Sequence, residues 1–144
     1  MEIFNNYESN VRSYCRSFPA VFDRAKDSFI YSESGKKYID FFSGAGTLNY
    51  GHNNDHIKRA VLKYLESDSV LHSLDMFTAA KRSFINEFVE RILQPRNLDY
   101  KLQFCAPTGA NAVEAALKIA RVAKKRSNVF AFKGGFHGMS LGAL

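Results

Sequence analysis

Apolar residues recur at helical spacing in two stretches of the first hundred residues. In the first stretch they follow Asn53 and Asn54, either of which can cap a helix, and they form one stripe: Ile57, Ala60, Val61, Tyr64 and Leu65. The second stripe lies between Thr78, a candidate N-cap, and the helix-stopping Pro95: Phe84, Ile85, Phe88, Val89 and Ile92. The spacing predicts two amphipathic helices joined by a loop over residues 67–76.

The segments before these helices predict a hairpin and a glycine-rich loop. Residues 29–31 and 37–41 are rich in aromatic and β-branched side chains and flank Gly35, which favours a turn between two strands. Residues 43–54 contain three glycines within nine positions: Gly44, Gly46 and Gly51. Such a run is typical of a loop that passes close to another group. A short helix is expected before the hairpin, within residues 4–17.

The last third of the chain has the pattern strand, turn, helix, strand. Residues 100–105 alternate between polar and apolar, and residues 128–132 form a second short apolar segment. Between them, residues 110–125 are apolar over most of a helix circumference, which predicts a helix buried on more than one side. A helix that connects two strands in this order implies a parallel sheet. The fold class predicted is therefore α/β.

Composition excludes several classes of protein and leaves a globular one. Hydrophobic residues make up 46% and charged residues 24% of the 144 positions, which is unlike collagen or a disordered tail. No apolar run approaches the roughly 20 residues of a membrane helix, and no secretory leader pattern is present. Cys15 and Cys105 lie too far apart for a metal or redox motif. We therefore expect a reduced, cytoplasmic protein without a membrane partner.

The formal net charge of +6 is concentrated at one end of the chain. Residues 1–100 carry 13 basic and 13 acidic side chains, whereas residues 101–144 carry seven basic residues and one acid, Glu114. Residues 124–126 are all basic and end the predicted helix, where the helix dipole favours cations. This favours a solvated helix end over a nucleic-acid surface, and it leaves open the binding of a small anion.

Two short segments are candidates for chemistry because both follow predicted strands. Ligands of parallel sheets gather where the strands end. Thr108, Gly109 and Ala110 lie at such an end and also begin a helix, whose free N–H groups and positive dipole end attract anions. Their spacing matches neither a dinucleotide fingerprint nor a Walker loop, so the spacing alone favours a plain capped turn over a phosphate site.

The second candidate segment contains an aromatic residue and a histidine between glycines. Phe136 can stack on a planar ligand, and His137 can carry a proton or donate a hydrogen bond. The alternative is a buried phenylalanine and a hydrogen-bonded histidine at a turn. Elsewhere, His52 and His56 are four residues apart, but the predicted helix begins between them, so we expect no metal site there.

Three motifs, in this order, resemble the N-terminal motifs of class III (ω-type) aminotransferases: residues 38–41 leading to 49–52, residues 107–121, and residues 135–138. These are pyridoxal-phosphate enzymes of fold type I. The resemblance covers nearly the whole chain. It implies a small-domain segment with the substrate-entrance loop over residues 1–76. It also implies the start of the cofactor-binding large domain over residues 77–144, with further strands of its sheet between the two predicted here.

The resemblance also implies roles for individual residues. Gly109 and Ala110 would donate backbone N–H groups to the phosphate of pyridoxal 5'-phosphate, with Thr108 beside them. Phe136 would stack on the pyridine ring, and His137 would lie next to it. Gly44 and Ala45 would form part of the substrate entrance, where many relatives carry a bulkier side chain in place of Ala45. Asp55 stands where the family commonly has proline.

Within the family, residues 12–19, 44–54 and 74–76 are similar to members that transfer an amino group from L-glutamate to L-aspartate 4-semialdehyde. That step belongs to ectoine and siderophore pathways. The resemblance places the Schiff-base lysine and its partner aspartate beyond Leu144, and none of the 11 lysines present has the matching context. We therefore expect an N-terminal portion that is inactive alone and that forms a homodimer or a higher homo-oligomer at full length.

Three alternatives to this interpretation are open at the level of sequence. The chain could be the non-catalytic product of a truncated gene. It could come from a class III aminotransferase that acts on another ω-amino compound. It could also be a stand-alone module that binds phosphate. The first interpretation implies a small-molecule amino donor and an aldehyde acceptor as partners, and no nucleic acid.

Overall fold

A three-stranded antiparallel sheet organises the first part of the chain. The computed structural model describes residues 1–144 and divides them into two units, Met1–Asp75 and Met76–Leu144. Strands β1 (Phe22–Lys26), β2 (Phe29–Ser32) and β3 (Lys37–Ile39) lie in the order β1–β2–β3. Gly35 turns the chain between β2 and β3 with a φ of 81°, so the predicted hairpin is confirmed. Strand β1 is an addition that the hydrophobic pattern did not indicate.

The short helix expected within residues 4–17 is two helices instead. Helix α1 covers Glu2–Tyr7 and helix α2 covers Tyr14–Ser17. The side chain of Ser9 accepts a hydrogen bond from the N–H of Val11 between them. Short polar side chains that bond the nearby backbone in this way compete with helix formation, which accounts for the interruption.

The first amphipathic helix has the predicted bounds and cap. Helix α4 (Asp55–Glu66) begins at Asn54, whose side chain accepts hydrogen bonds from the N–H groups of His56 and Ile57 at 3.1 and 3.2 Å. A four-residue turn, α3 (Ser43–Gly46), precedes it in the glycine-rich segment. Its backbone is left-handed and not right-handed.

The second unit contains the other two predicted helices. Helix α5 (Ala79–Phe88) is capped by the Thr78 hydroxyl and continues through a π-helical turn, Val89–Leu93, and a 3-10 turn, Gln94–Arg96. Helix α6 (Gly109–Lys124) ends at Lys125, which adopts the left-handed conformation with a φ of 52°. The existence of both helices and the Thr78 cap of α5 follow the sequence prediction, and α6 is capped by the Thr108 hydroxyl.

The two strands predicted in this unit do not form. Residues 100–105 and 128–132 have no strand pairing, and the only sheet is antiparallel and lies in the first unit. The reason is that strands exist only as hydrogen-bonded neighbours. The family resemblance places other strands between these two, so neither is a neighbour of the other. The chain is mixed α/β, but the βαβ unit is incomplete.

Most large apolar side chains are exposed. Leu93 and Ala143 are the buried apolar side chains, and the accessible surface is 13057 Å². A folded monomer of 16.3 kDa has typically about 7500 Å². The prediction that α6 is buried on more than one side is therefore wrong: none of its residues is buried, since no sheet packs against it. None of the helices combines the length and apolarity needed to cross a bilayer.

Candidate active site

The first turn of α6 presents three hydrogen-bond donors at the positive end of the helix. The Thr108 hydroxyl oxygen accepts from the N–H of Asn111 at 3.1 Å, which leaves its own proton available. The N–H groups of Gly109 and Ala110 donate to no atom of the chain. A methyl group placed on Gly109 would meet nothing within 4 Å, so the space beside these donors is open. Donors of this kind at a helix N-terminus suit a phosphate.

Gly138 lies directly against this turn. Its φ is +139°, and a methyl group placed on it would lie 2.6 Å from the Cβ and 3.0 Å from the Cα of Ala110. The same methyl group would lie 3.1 Å from the Cβ of Ala143. Only a residue without a side chain permits this approach. The structure thus brings the two segments singled out by the sequence into contact, although the strands expected to align them are absent.

Glu114 forms a second link between α6 and the segment that contains Gly138. Its Oε1 accepts from the hydroxyl of Ser140 at 2.6 Å and from the N–H of Gly142 at 2.7 Å. The bond from Ser140, followed by that from Gly142, lowers the pKa of Glu114. The sequence prediction missed this role. The available signal was that Glu114 is the one acid among the basic residues of the last third.

Phe136 and His137 lie in the segment that leads to Gly138. The Phe136 side chain is 77% exposed, so the alternative of a buried phenylalanine is wrong and its ring is accessible to a planar ligand. His137 is exposed too, and its ring lies over Gly135, where an added methyl group would come within 3.0 Å of Nε2. Both side chains are therefore available on the same segment as the contact with α6.

Gly44 and Ala45 lie in the left-handed turn α3 of the first unit. Their φ values are 57° and 55°. The carboxylate of Asp40 bonds the start of the turn, where Oδ1 accepts from the N–H groups of Phe42 at 2.9 Å and Ser43 at 3.0 Å. The turn borders a cleft of about 600 Å³ whose walls are mostly apolar, among them Tyr14, Phe18, Phe22, Tyr38 and Leu48.

The other oxygen of Asp40 contacts a histidine. Oδ2 lies 2.6 Å from Nε2 of His52, and this contact is the largest cause of the lowered pKa of Asp40. This pair of Asp40 and His52 was not predicted from the sequence. Of the loop glycines, Gly51 has the closest approach to another segment: an added methyl group would lie 3.0 Å from the backbone of Asp27.

Comparison with known proteins identifies the family. Residues 11–144 match the family described as aminotransferase class-III. The fold agrees, since a taurine:2-oxoglutarate aminotransferase from Bifidobacterium kashiwanohense superposes with a TM-score of 0.77 over 98% of this chain and 31% of that one, at 21% identity. The chain therefore belongs to the class III aminotransferases, whose cofactor is pyridoxal 5'-phosphate and whose substrates are a small amino donor and acceptor.

Curated relatives narrow the likeness within the family. The chain is 56% identical over 144 residues to the diaminobutyrate–2-oxoglutarate transaminase of Wolinella succinogenes. It is 58% identical over the same length to the enzyme of that name from Streptomyces avermitilis. Each match covers the whole of this chain and 34% of the relative. The chain thus spans about a third of the length of these relatives.

The residues present fit one side of the family's cofactor. The three donors at the start of α6 can bond the phosphate oxygens, and the positive end of the helix dipole favours their negative charge. The exposed ring of Phe136 offers a face to a pyridine ring. The fit therefore concerns binding and orientation of the cofactor.

Proposed function

We propose that this chain supplies the phosphate-binding and ring-stacking side of an active site that transfers an amino group from L-glutamate to L-aspartate 4-semialdehyde. The products are 2-oxoglutarate and L-2,4-diaminobutyrate. The observation that carries the proposal is the contact between Gly138 and Ala110, which joins the free donors of α6 to the segment of Phe136 and His137. The choice of substrates rests on the names of the relatives that are 56 to 58% identical.

The roles of the residues follow from their positions. Gly109, Ala110 and the Thr108 hydroxyl bind the phosphate, since the N–H groups and the helix dipole together stabilise a dianion. Phe136 stacks on the ring and limits its rotation, and His137 donates or accepts a hydrogen bond beside it. When bound, pyridoxal phosphate supplies the aldehyde that accepts the amino group and a ring that withdraws electrons.

The first unit contributes the substrate entrance in this proposal. Gly44 borders the cleft of about 600 Å³ and Ala45 follows it in the same turn, so the small residues at these two positions leave room for the substrate. Residues 1–76 then act as the small-domain segment and residues 77–144 as the start of the large domain. In this proposal the lysine that binds the cofactor aldehyde comes from outside residues 1–144. The full-length protein is a homodimer or a higher homo-oligomer in the cytoplasm.

A chimera tests the proposal with the chain as it stands. Residues 1–144 replace the matched segment of the Wolinella succinogenes relative, and the intact relative and the 144-residue chain serve as controls. We expect the chimera to show the visible absorption of bound pyridoxal phosphate. We also expect repeated turnover of glutamate to 2-oxoglutarate only when aspartate semialdehyde is present, because without this acceptor the amino group stays on the cofactor after one turnover. The chain alone should show no transfer.

Each failure of the chimera has a separate meaning. A folded chimera that does not bind pyridoxal phosphate contradicts the cofactor site. A chimera that binds the cofactor but aminates another ω-aldehyde, and not aspartate semialdehyde, contradicts the substrate assignment and leaves the family unchanged. In vitro turnover with aspartate semialdehyde supports the aminotransferase site over a stand-alone phosphate module.

A further inference from the structure

Four consecutive residues of α3 lie in the left-handed region of backbone conformation. The φ values are 51° for Ser43, 57° for Gly44, 55° for Ala45 and 90° for Gly46. Two of the four carry side chains, which disfavour this conformation because Cβ approaches the following carbonyl oxygen. Such a turn persists only where neighbouring groups hold it, and strain of this kind concentrates at functional sites.

The group that holds the start of the turn is the carboxylate of Asp40. One of its oxygens accepts from the N–H groups of Phe42 and Ser43, and the other contacts Nε2 of His52 at 2.6 Å. The side chains of Asp40 and His52 are only 12% and 18% exposed. Three contacts therefore engage both carboxylate oxygens with the chain itself.

His52 is in turn held by the sheet. Its backbone N–H and carbonyl exchange hydrogen bonds of 2.8 Å with Asp27, which follows β1 directly. Next to it, the side chain of Asn53 donates to the carbonyl of Ala25 within β1. A continuous series of contacts thus runs from β1 through His52 and Asp40 to α3.

The pair and the turn border the same space. Asp40, His52 and Gly44 all line the cleft of about 600 Å³ in this unit. Because both oxygens of Asp40 are occupied, the pair offers no free carboxylate to a ligand there. The pair of Asp40 and His52 would therefore influence a bound molecule only by setting the position of the turn α3.

We infer that Asp40 and His52 are positioning residues that hold the left-handed turn α3 and thereby set the width of the substrate entrance beside Gly44 and Ala45. This inference rests on the proposed role of that turn as the entrance. Neither residue touches the reacting atoms. Loss of either partner frees the turn to relax toward an ordinary backbone conformation and narrows or displaces the entrance.

The kinetic test uses the chimera described above, with the substitutions Asp40→Ala, His52→Ala and His52→Gln. We expect each alanine variant to raise KM for aspartate semialdehyde about tenfold, with kcat and the affinity for pyridoxal phosphate within twofold of the parent. His52→Gln should recover most of the loss, because its amide nitrogen can replace Nε2 as the donor to Asp40. The double alanine variant should resemble Asp40→Ala, since that single substitution already removes the contact with His52.

Asp55→Ala is the matched control for these variants. Asp55 is a carboxylate of the same unit with a basic partner, Lys26, at 2.6 Å, but it is 70% exposed and does not contact α3. Its substitution should leave KM unchanged. Alanine variants that keep the parent KM, or that lose kcat and cofactor affinity together with KM, would overturn the positioning role.

Hydrogen exchange separates this inference from the proposed function. In the parent chimera the amides of Phe42 and Ser43 should be protected, and Asp40→Ala should abolish that protection while the amides of α4 stay protected. A parent that binds the cofactor but does not use aspartate semialdehyde contradicts the proposed substrates. Protection of Phe42 and Ser43 that survives Asp40→Ala overturns the positioning role whatever the substrate is.

Discussion

The substitution Gly138→Ala tests the contact on which the proposed cofactor site depends. The added methyl group would lie 2.6 Å from the Cβ of Ala110 and 3.1 Å from the Cβ of Ala143. Real Cβ atoms do not approach other carbons to 2.6 Å, so the segment of Phe136 must move away from α6. A φ of +139° adds backbone strain that glycine avoids.

The expected cost follows from these two effects. Overpacking of one methyl group costs typically about 1–3 kcal/mol, and an unfavourable backbone conformation costs on the order of 1–3 kcal/mol. If about 2–4 kcal/mol of this cost destabilises the cofactor-bound state relative to the free protein, the dissociation constant of pyridoxal phosphate rises about 30- to 1000-fold. The measurement is an absorption titration of the cofactor-free chimera with pyridoxal phosphate.

Two further variants make the test specific. Gly134→Ala introduces a side chain at a φ of +82° where nothing lies within 4 Å, so it measures strain without a clash. Adding Ala110→Gly to Gly138→Ala removes the nearest atom and should recover part of the affinity. If Gly138→Ala binds the cofactor as tightly as the parent does, or no more weakly than Gly134→Ala, the contact with Ala110 does not shape the site.

Three other predictions concern the same unit. Thr108→Ala should cost about 1 kcal/mol of helix stability and weaken binding of pyridoxal phosphate, whereas Thr108→Ser should match the parent in circular dichroism and titration. Phe136→Leu should weaken pyridoxal phosphate about 2- to 12-fold, from a stacking energy of about 0.5–1.5 kcal/mol, but leave inorganic phosphate binding unchanged. Because its pKa is lowered, Glu114 should protect the Gly142 amide at neutral pH and lose this effect as the pH falls through the lowered value. In Glu114→Gln, the protection of the Gly142 amide relative to its intrinsic exchange rate should no longer depend on pH in this range.

The elements that could be predicted from the amino-acid sequence are those held by local hydrogen bonds. Helices α4, α5 and α6 begin where an Asn or Thr side chain can accept from the N–H groups of the first turn, two or three residues further on. The hairpin likewise depends on a turn at Gly35 and two adjacent strands. The candidate residues Thr108, Gly109 and Ala110 were found for the same reason, because the start of a helix depends on residues that are neighbours in the sequence.

Contacts between residues that are far apart in the sequence could not be predicted and are seen only in the folded chain. The contact of Gly138 with Ala110, the bonds of Glu114 to Ser140 and Gly142, and the pair of Asp40 and His52 link positions 12 to 28 residues apart. The spacing of apolar and polar residues along the chain does not indicate which distant residue such a side chain contacts. The predicted strands at residues 100–105 and 128–132 fail for the converse reason. Their alternating pattern is local, but a strand forms only when a neighbouring strand completes its hydrogen bonds, and the chain provides none there.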